Sequence, residues 1–250
     1  MAEERLKGIV LCAGRGARLQ PLTDDLPKCL LEFEGRAILG NCLDSFRAAG
    51  IEDIVLVTGY RQDLIETFLA ERGDEKVTFV RNERYAETNT AYSLNLALRV
   101  MDSGFVLANG DVLYDRAILE DLVAHPAPNC IVVDTDIPLD SEEVKVFVQD
   151  GRVADIGKNL DPRLSFGEAI GLYKVGPALI GDLRRIFDDL ARRAEFHHFF
   201  EKGFQSICAE GGTGERAFAV TPTGRRPWVE IDTHEDFAYA QREVAPRLRR

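Results

Sequence analysis

Apolar runs of strand length alternate with helical stripes through the first half of the chain. Residues 8–11 (Gly8-Ile9-Val10-Leu11) and 53–58 are continuous hydrophobic runs, the pattern of buried strands, and residues 77–80 read as a third strand. Between them, residues 37–49 place Ile38, Leu39, Cys42, Leu43 and Phe46 on one helical face and stop at Gly50. Residues 62–69 do the same with Leu64, Ile65, Phe68 and Leu69, and Leu94, Ala97, Leu98 and Met101 predict a helix over 90–101. A strand over 104–108 follows. Strand–helix alternation implies crossover connections and an α/β, doubly wound, mostly parallel sheet. Ligands of such sheets sit beyond the carboxyl ends of the strands.

After a strand over 129–134 the texture changes. Residues 144–156 alternate on both sides of Asp150-Gly151, which predicts a β-hairpin with a primed turn. No crossover helix follows it, so the hairpin is expected to be antiparallel and to fold as a lid over the open end of the sheet. A strand over 166–175, a helix over 177–192, a turn at 211–214 and a short strand over 217–220 come next. A strand ending at Asp232 and a helix over 235–244 close the pattern. The whole reads as one domain over 1–250: a core (1–140), the lid with the strand after it (141–175), and a closing segment (176–250).

Composition narrows the chemistry. Hydrophobic residues make up 45% of the chain, enough for a large core, and the net charge is −11. No basic stripe exists to neutralise a phosphate backbone, which argues against a nucleic-acid partner. Any anionic substrate must then be held by local cations or a metal. The five cysteines are scattered and lack C-x-x-C spacing, the pattern of reduced thiols in a cytoplasmic protein. The start is polar and no apolar run reaches membrane length, so neither a signal peptide nor a membrane span is expected.

The loop after the first strand is the richest stretch: Leu11-Cys12-Ala13-Gly14-Arg15-Gly16-Ala17-Arg18, running on to Pro27-Lys28. Glycines let backbone N–H groups approach a bulky anion, and Arg18 and Lys28 add charge. Pro21 and Pro27 forbid the helix that a dinucleotide-binding turn would enter. The P-loop is excluded because Gly-Lys-Ser/Thr is absent, and the dinucleotide fingerprint because Leu19 occupies its third glycine position. Further on, Asp111 of Asn109-Gly110-Asp111 stands at the carboxyl end of a strand. It suits a hard cation there, or caps the helix starting near Asp115. Asn89 or Thr90 caps the helix from residue 90, or lines a pocket with Ser93. Lys158, at the exit of the hairpin, is an ordinary exposed lysine or a grip for a substrate phosphate.

The opening loop resembles that of the nucleotidyltransferases that join a nucleoside monophosphate to a sugar-1-phosphate or similar phosphorylated alcohol. Their motif runs L-A-x-G-x-G-x-R-L-x-P-L-T and then P-K. Leu11, Gly14, Gly16, Arg18, Leu19, Pro21, Leu22, Thr23, Pro27 and Lys28 match it, while Ala17 stands where threonine is common. The resemblance implies a Rossmann-like, GT-A-like mixed sheet and a nucleotide pocket including Leu11, Ala13, Gly14, Gly16, Asn89, Ser93 and Asn109. It implies Mg²⁺ held by Asp111 and by Asp232 of Ile231-Asp232-Thr233, and phosphate contacts from Arg18, Lys28 and Lys158. The Gly167-Glu168-x-x-Gly171 strand is similar to one lining the acceptor pocket, to which Tyr173 and Trp228 are assigned as well. The run Thr88-Asn89-Thr90-x-Tyr92-Ser93-Leu94 is most similar to the cytidylyl-transferring branch, which handles phosphocholine, phosphonates and polyol phosphates. The expected partners are therefore a nucleoside triphosphate, CTP by preference, and a phosphorylated small molecule. Trp228, Tyr92, Tyr173 and Phe166 are candidates for an aromatic cage around a quaternary ammonium.

Two other readings compete. Asp134-Thr135-Asp136 has the spelling of a glycosyltransferase metal motif, although such an enzyme has no use for the loop from Arg18 to Lys28. A non-catalytic nucleotide binder would be expected to lose an acid or the loop lysine, and both are present. His197-His198 are adjacent, hence about 100° apart on a helix, and read as structural or surface residues rather than joint ligands. Phe196, Phe199, Phe200 and Phe204 read as core or as the face of a homodimer.

Overall fold

The computed structural model describes residues 5–74 and 76–248; the polar start over residues 1–4 lies outside them. In chain order the elements begin with β1 (Lys7–Cys12), the small ribbon β2 (Glu32–Phe33) and β3 (Arg36–Ala37), α1 (Ile38–Ala48), β4 (Ile54–Thr58), α2 (Gln62–Arg72) and β5 (Val77–Arg81). They continue with α3 (Thr90–Leu98), β6 (Phe105–Asn109), β7 (Val112–Tyr114), α4 (Arg116–Ala124), β8 (Asn129–Asp134), β9 (Lys145–Gln149) and β10 (Arg152–Gly157). The last are β11 (Gly167–Val175), α5 (Ile180–Arg192), α6 (Glu201–Ala209), β12 (Phe218–Pro222), β13 (Trp228–Glu230) and α7 (His234–Tyr239).

The continuous apolar runs form the parallel half of a mixed, mostly parallel sheet ordered β10-β9-β11-β6-β1-β4-β5, with β8 and then β12 branching from β11. β1 lies between β4 and β6, parallel to both. Ile9 and Val10 are fully buried on opposite faces, which is why the run shows no alternation. β11 runs against its neighbours. Its second half pairs with β6, its other edge with β8, and its first two residues with β9.

That last pairing corrects the expected lid. The β9–β10 hairpin does not fold over the sheet as a separate flap. It continues the sheet along the edge of β11 that β6 occupies further on, and α6 packs on β10. The reason is its apolar face: Val146, Val153 and Ile156 are buried in the core. The helix predicted over 90–101 stops at Leu98. The one predicted over 177–192 opens with a 3-10 turn at Pro177–Leu179, and the last helix continues as a π turn, Ala240–Val244. α6 and the ribbon β2–β3 form where no element was expected.

Two apolar layers hold the sheet. On one face α3, α5 and α6 bring Phe187, Phe200, Phe204 and Phe218 together with Tyr173. On the other, α1, α2 and α4 cover Val10, Leu56, Val106 and Leu172. A smaller third cluster joins Leu19, Leu31 and Phe33 to Leu113, Ile231 and Val244. It anchors the opening loop against β7 and the chain's last strand. Among the described residues no helix is long and apolar enough to cross a membrane.

Candidate active site

The loop after β1 is built to stay open. Gly16 sits at φ +70°, and a Cβ there would meet the Lys28 side chain at 3.2 Å. Thr23, fully buried, donates its hydroxyl to the Gly16 carbonyl at 2.8 Å and closes the loop on itself. Leu19 is its apolar anchor. Pro27 then starts a 3-10 turn, Lys28–Leu30, that directs Lys28 inward with only 9% of its surface exposed.

A second piece of backbone sets Asp111. The Gly110 N–H donates to the Leu11 carbonyl at 3.0 Å, drawing the end of β6 onto β1. A Cβ on Gly110 would stand 2.6 Å from that carbonyl and closer still to Cys12 Sγ, so only glycine fits. β13 then pairs antiparallel with β7, Glu230 opposite Val112, and the Ile231 N–H donates to the Asp111 carbonyl at 2.9 Å. This ladder places Asp232 beside Asp111. Neither acid is spent on a helix end: Asp115 caps α4 and Thr233 caps α7 in a capping box with Asp236.

Lys28 bridges the pair. Its Nζ donates to Asp111 Oδ2 at 2.8 Å and to Asp232 Oδ1 at 2.5 Å, and an Arg18 guanidinium nitrogen lies 2.7 Å from Asp232 Oδ2. Burial alone would lower the Lys28 pKa, but the two carboxylates outweigh it and raise the ammonium to about 12. Burial likewise opposes ionisation of Asp232, and Lys28 and Arg18 reverse the sign, holding its pKa below the usual carboxylate value. At Glu230 burial, with Asp111 and Asp232 nearby, outweighs the pull of Lys28 and pushes the pKa up to about 8.

Asp111, Glu230 and Asp232 each present a carboxylate oxygen within 4.8 Å of the others, and among the described residues no other set of acids, histidines or cysteines does so. Three hard oxygen donors suit Mg²⁺. The pair Asp134 and Asp136 is occupied otherwise: Asp134 accepts from Trp228 Nε1 and the Asp136 N–H, and Asp136 pairs with Arg225.

A cleft of about 890 Å³ runs from this cluster along the carboxyl ends of the strands, with a recess of about 310 Å³ beside Gly14, Gly16 and Lys28. Leu11, Ala13, Gly14 and Arg18 line the cleft at the loop, and Asn89, Ser93 and Asn109 line it beyond. Asn89 is also the N-cap of α3, accepting from the Thr90 N–H and donating to the His197 carbonyl. Ser93 accepts from Asn82 at 3.0 Å. The other wall carries Lys158, Glu168, Gly171 and Trp228. Gly171 lies at φ +83°, where a Cβ would come within 2.9 Å of the Asn109 amide, which accounts for the second glycine of its motif. Lys158 is exposed, its Nζ 5.2 Å above the Phe199 ring.

Tyr173 is the correction. It was expected in the acceptor pocket, but its ring is fully buried among Phe200 and Phe204, and its hydroxyl donates to Glu201 at 2.9 Å. Tyr173 is an even-spaced partner of Gly171 on β11, and a sequence pattern cannot tell the two faces apart across the bulge between Ala169 and Tyr173. Tyr92 packs edge-on against Phe196, and Phe166 is exposed outside the cleft, so the residues proposed for an aromatic cage do not converge. His197 and His198 serve through their backbone carbonyls, which accept from Asn89 Nδ2 and the Ala91 N–H. Glu201, missed in the sequence, lines the cleft from α6; the Phe200, Phe204, Ile207 spacing was the signal for its helix.

Comparison with known proteins agrees with this architecture. CTP:phosphoglutamine cytidylyltransferase of Campylobacter jejuni is 25% identical over 253 residues, covering 92% of this chain and 97% of that protein. A mannose-1-phosphate guanyltransferase of Gibberella zeae is 32% identical over 220 residues; the match covers 80% of this chain but only 59% of that longer protein. Among solved structures, CTP:phosphocholine cytidylyltransferase from Streptococcus pneumoniae superposes with a TM-score of 0.79 at 20% identity, covering 95% of this chain and 98% of that one. The inositol-1-phosphate CTP transferase from T. maritima gives 0.76 at 24% identity, covering 98% and 99%. At those identities the structures establish the fold. The profile of the MobA-like NTP transferase domain matches residues 8–152, the span that carries the glycine loop, Lys28 and Asp111. With that match over more than half its length, the chain belongs to the MobA-like NTP transferase domain family and is a nucleotidyltransferase.

Proposed function

We propose that the chain transfers CMP from CTP to a phosphorylated small molecule, with Mg²⁺ held by Asp111, Asp232 and Glu230. The observation that carries this reading is the meeting of Lys28, Asp111 and Asp232 at the mouth of a glycine-lined loop. The lean to CTP rests on the Thr88–Leu94 run and on the cytidylyltransferase relative that matches along nearly its whole length. Five free cysteines, four of them buried, accord with a reducing compartment, and we place the protein in the cytoplasm.

The chemistry asks little of a base. A phosphomonoester is largely dianionic at pH 7, its second pKa being about 6. The obstacle is repulsion between that dianion and the triphosphate. Backbone N–H groups around Gly14 and Gly16, with Arg18 and Lys28, hold the triphosphate. Lys158 attracts the acceptor phosphate. An acceptor oxygen then bonds to the α-phosphorus while the bond to the β-bridging oxygen breaks, and pyrophosphate leaves with the electron pair. Mg²⁺, when bound, supplies charge neutralisation at the triphosphate. The protein's own contribution is positioning and electrostatics, with no covalent intermediate.

Pyrophosphate release, measured with each of the four nucleoside triphosphates against phosphocholine, phosphonate, polyol phosphate and hexose-1-phosphate acceptors, tests the proposal. Release with CTP and a non-hexose acceptor supports it. Release only with a hexose-1-phosphate and UTP, dTTP or GTP would replace the CTP assignment by a sugar-nucleotide one. Nucleotide binding without release would make the protein a regulatory binder.

A further inference from the structure

We propose that the acceptor carries a protonated primary amine at the end opposite its phosphate, held by the carboxyl groups of Glu201 and Glu168. The inference rests on the transferase reading and adds the acceptor's charge pattern to it.

Among the described residues, the cleft is lined by ten acidic side chains against five basic ones. That is a poor lining for a molecule that bears only a phosphate. Most of the acids have partners. Asp111, Glu230 and Asp232 form the candidate metal cluster, Asp236 completes the capping box of α7, and Asp134 and Asp136 are engaged by Trp228 and Arg225. Glu143 accepts from the Asp140 N–H. Glu168 has no side-chain hydrogen bond or ion pair among the described residues, and Asp134 stands opposite it on β8.

Glu201 is the second observation. It is only 6% exposed, and Oε1 accepts from Tyr173, but Oε2 is buried with no hydrogen-bond partner. A buried, unpartnered carboxylate oxygen costs free energy unless a ligand donor meets it. An ammonium N–H is such a donor, and its charge offsets the acidic lining. A quaternary ammonium would not serve Glu201 in this way, because it has no N–H to give to Oε2. Burial raises the pKa of Glu168 to about 8 and of Glu201 to about 7, only partly offset by Lys145 and Lys158 respectively.

The test pairs ω-aminoalkyl phosphates of increasing chain length with their ω-hydroxyalkyl counterparts, and includes phosphocholine. Calorimetric binding to the full chain and pyrophosphate release with CTP and Mg²⁺ are both read. At the best length the amine is expected to lead the alcohol roughly 10- to 100-fold in affinity and in kcat/KM, the range of a charge-assisted hydrogen bond. E201Q, which retains an acceptor for Tyr173, is expected to cut that lead below about threefold. E142Q, at another acid of the cleft lining, tests whether general acidity alone explains the preference and is expected to keep the lead. Equal affinity for amine and alcohol, a preference for phosphocholine, or an undiminished lead in E201Q would overturn the inference. Absence of pyrophosphate release from every acceptor and nucleotide would instead sink the transferase reading, while the calorimetric comparison still decides the amine.

Discussion

Lys28 Nζ and Asp232 Oδ1, 204 positions apart in the chain, meet at 2.5 Å. No local preference produces such a contact. It follows from the parallel sheet that presents the opening loop and from the β7–β13 ladder that returns the chain's last strand to it.

The contact predicts two separable effects of Lys28→Ala. Turnover is expected to fall about 100- to 1,000-fold, the usual effect of removing one preorganised electrostatic contact. Stability is expected to fall as well, because the charge bridging Asp111 and Asp232 is lost and only Arg18, on Asp232, remains. Pyrophosphate release and thermal melting measure the two. Wild-type kcat with a lowered melting temperature would assign Lys28 a structural role alone.

Asp111→Asn and Asp232→Asn are expected to weaken divalent cation binding at least 10-fold while leaving the fold intact. Mn²⁺ titration followed by electron paramagnetic resonance reads this directly, in the absence of any acceptor. Unchanged Mn²⁺ affinity in both variants would remove the carboxylate cluster from the metal-binding role.

Two glycines give opposite expectations. Gly110→Ala forces a methyl group into the Leu11 carbonyl and Cys12, and is expected to cost about 2–3 kcal/mol. At Gly14 a Cβ would meet nothing within 4 Å. Gly14→Ala should therefore leave stability within about 0.5 kcal/mol of wild type and yet weaken CTP binding, since the proposed path of the triphosphate crosses that open space. Chemical denaturation and nucleotide titration of the two variants separate these outcomes.

Glu201 makes stability depend on pH. Burial raises its folded pKa from 4.5 to about 7, and Tyr173 and Lys158 only partly offset this. Below 4.5 the group is protonated in both states and costs nothing. As pH rises toward 7 the unfolded chain ionises it while the fold resists, so stability is lost across that window, by about 3 kcal/mol in all. Glu201→Gln removes the titration. The stability difference between variant and wild type is expected to widen in the variant's favour from pH 4.5 to 7 and then to level off. A difference flat with pH would show that Glu201 is not protonated in the fold.

Lys158→Ala is expected to raise the acceptor KM while leaving the CTP KM near its wild-type value. A rise in the CTP KM instead would move Lys158 to the nucleotide side.

The sequence showed the parallel half of the sheet well, because strands such as β1 and β4, buried on both faces, must read as unbroken apolar runs. It singled out the loop because glycines, prolines and cations recur there at close spacing, and the fold brings its Lys28 to Asp111 and Asp232. It did not show where the hairpin would dock, since alternation identifies one apolar face but not the edge that receives it. It misjudged Tyr173 because the bulge in β11 interrupts the alternation between the cleft side and the core. It missed Glu201 because α6 is short, and its neighbouring phenylalanines read as core or as a dimer face rather than as a cleft wall.

The β7–β13 ladder also has a temporal consequence. A ribosome releases the glycine loop, Lys28 and Asp111 long before Asp232 emerges. A half-made chain thus holds the cationic loop and the first acid without Glu230 and Asp232, so a product clipped before β13 loses two of the three clustered carboxylates at once.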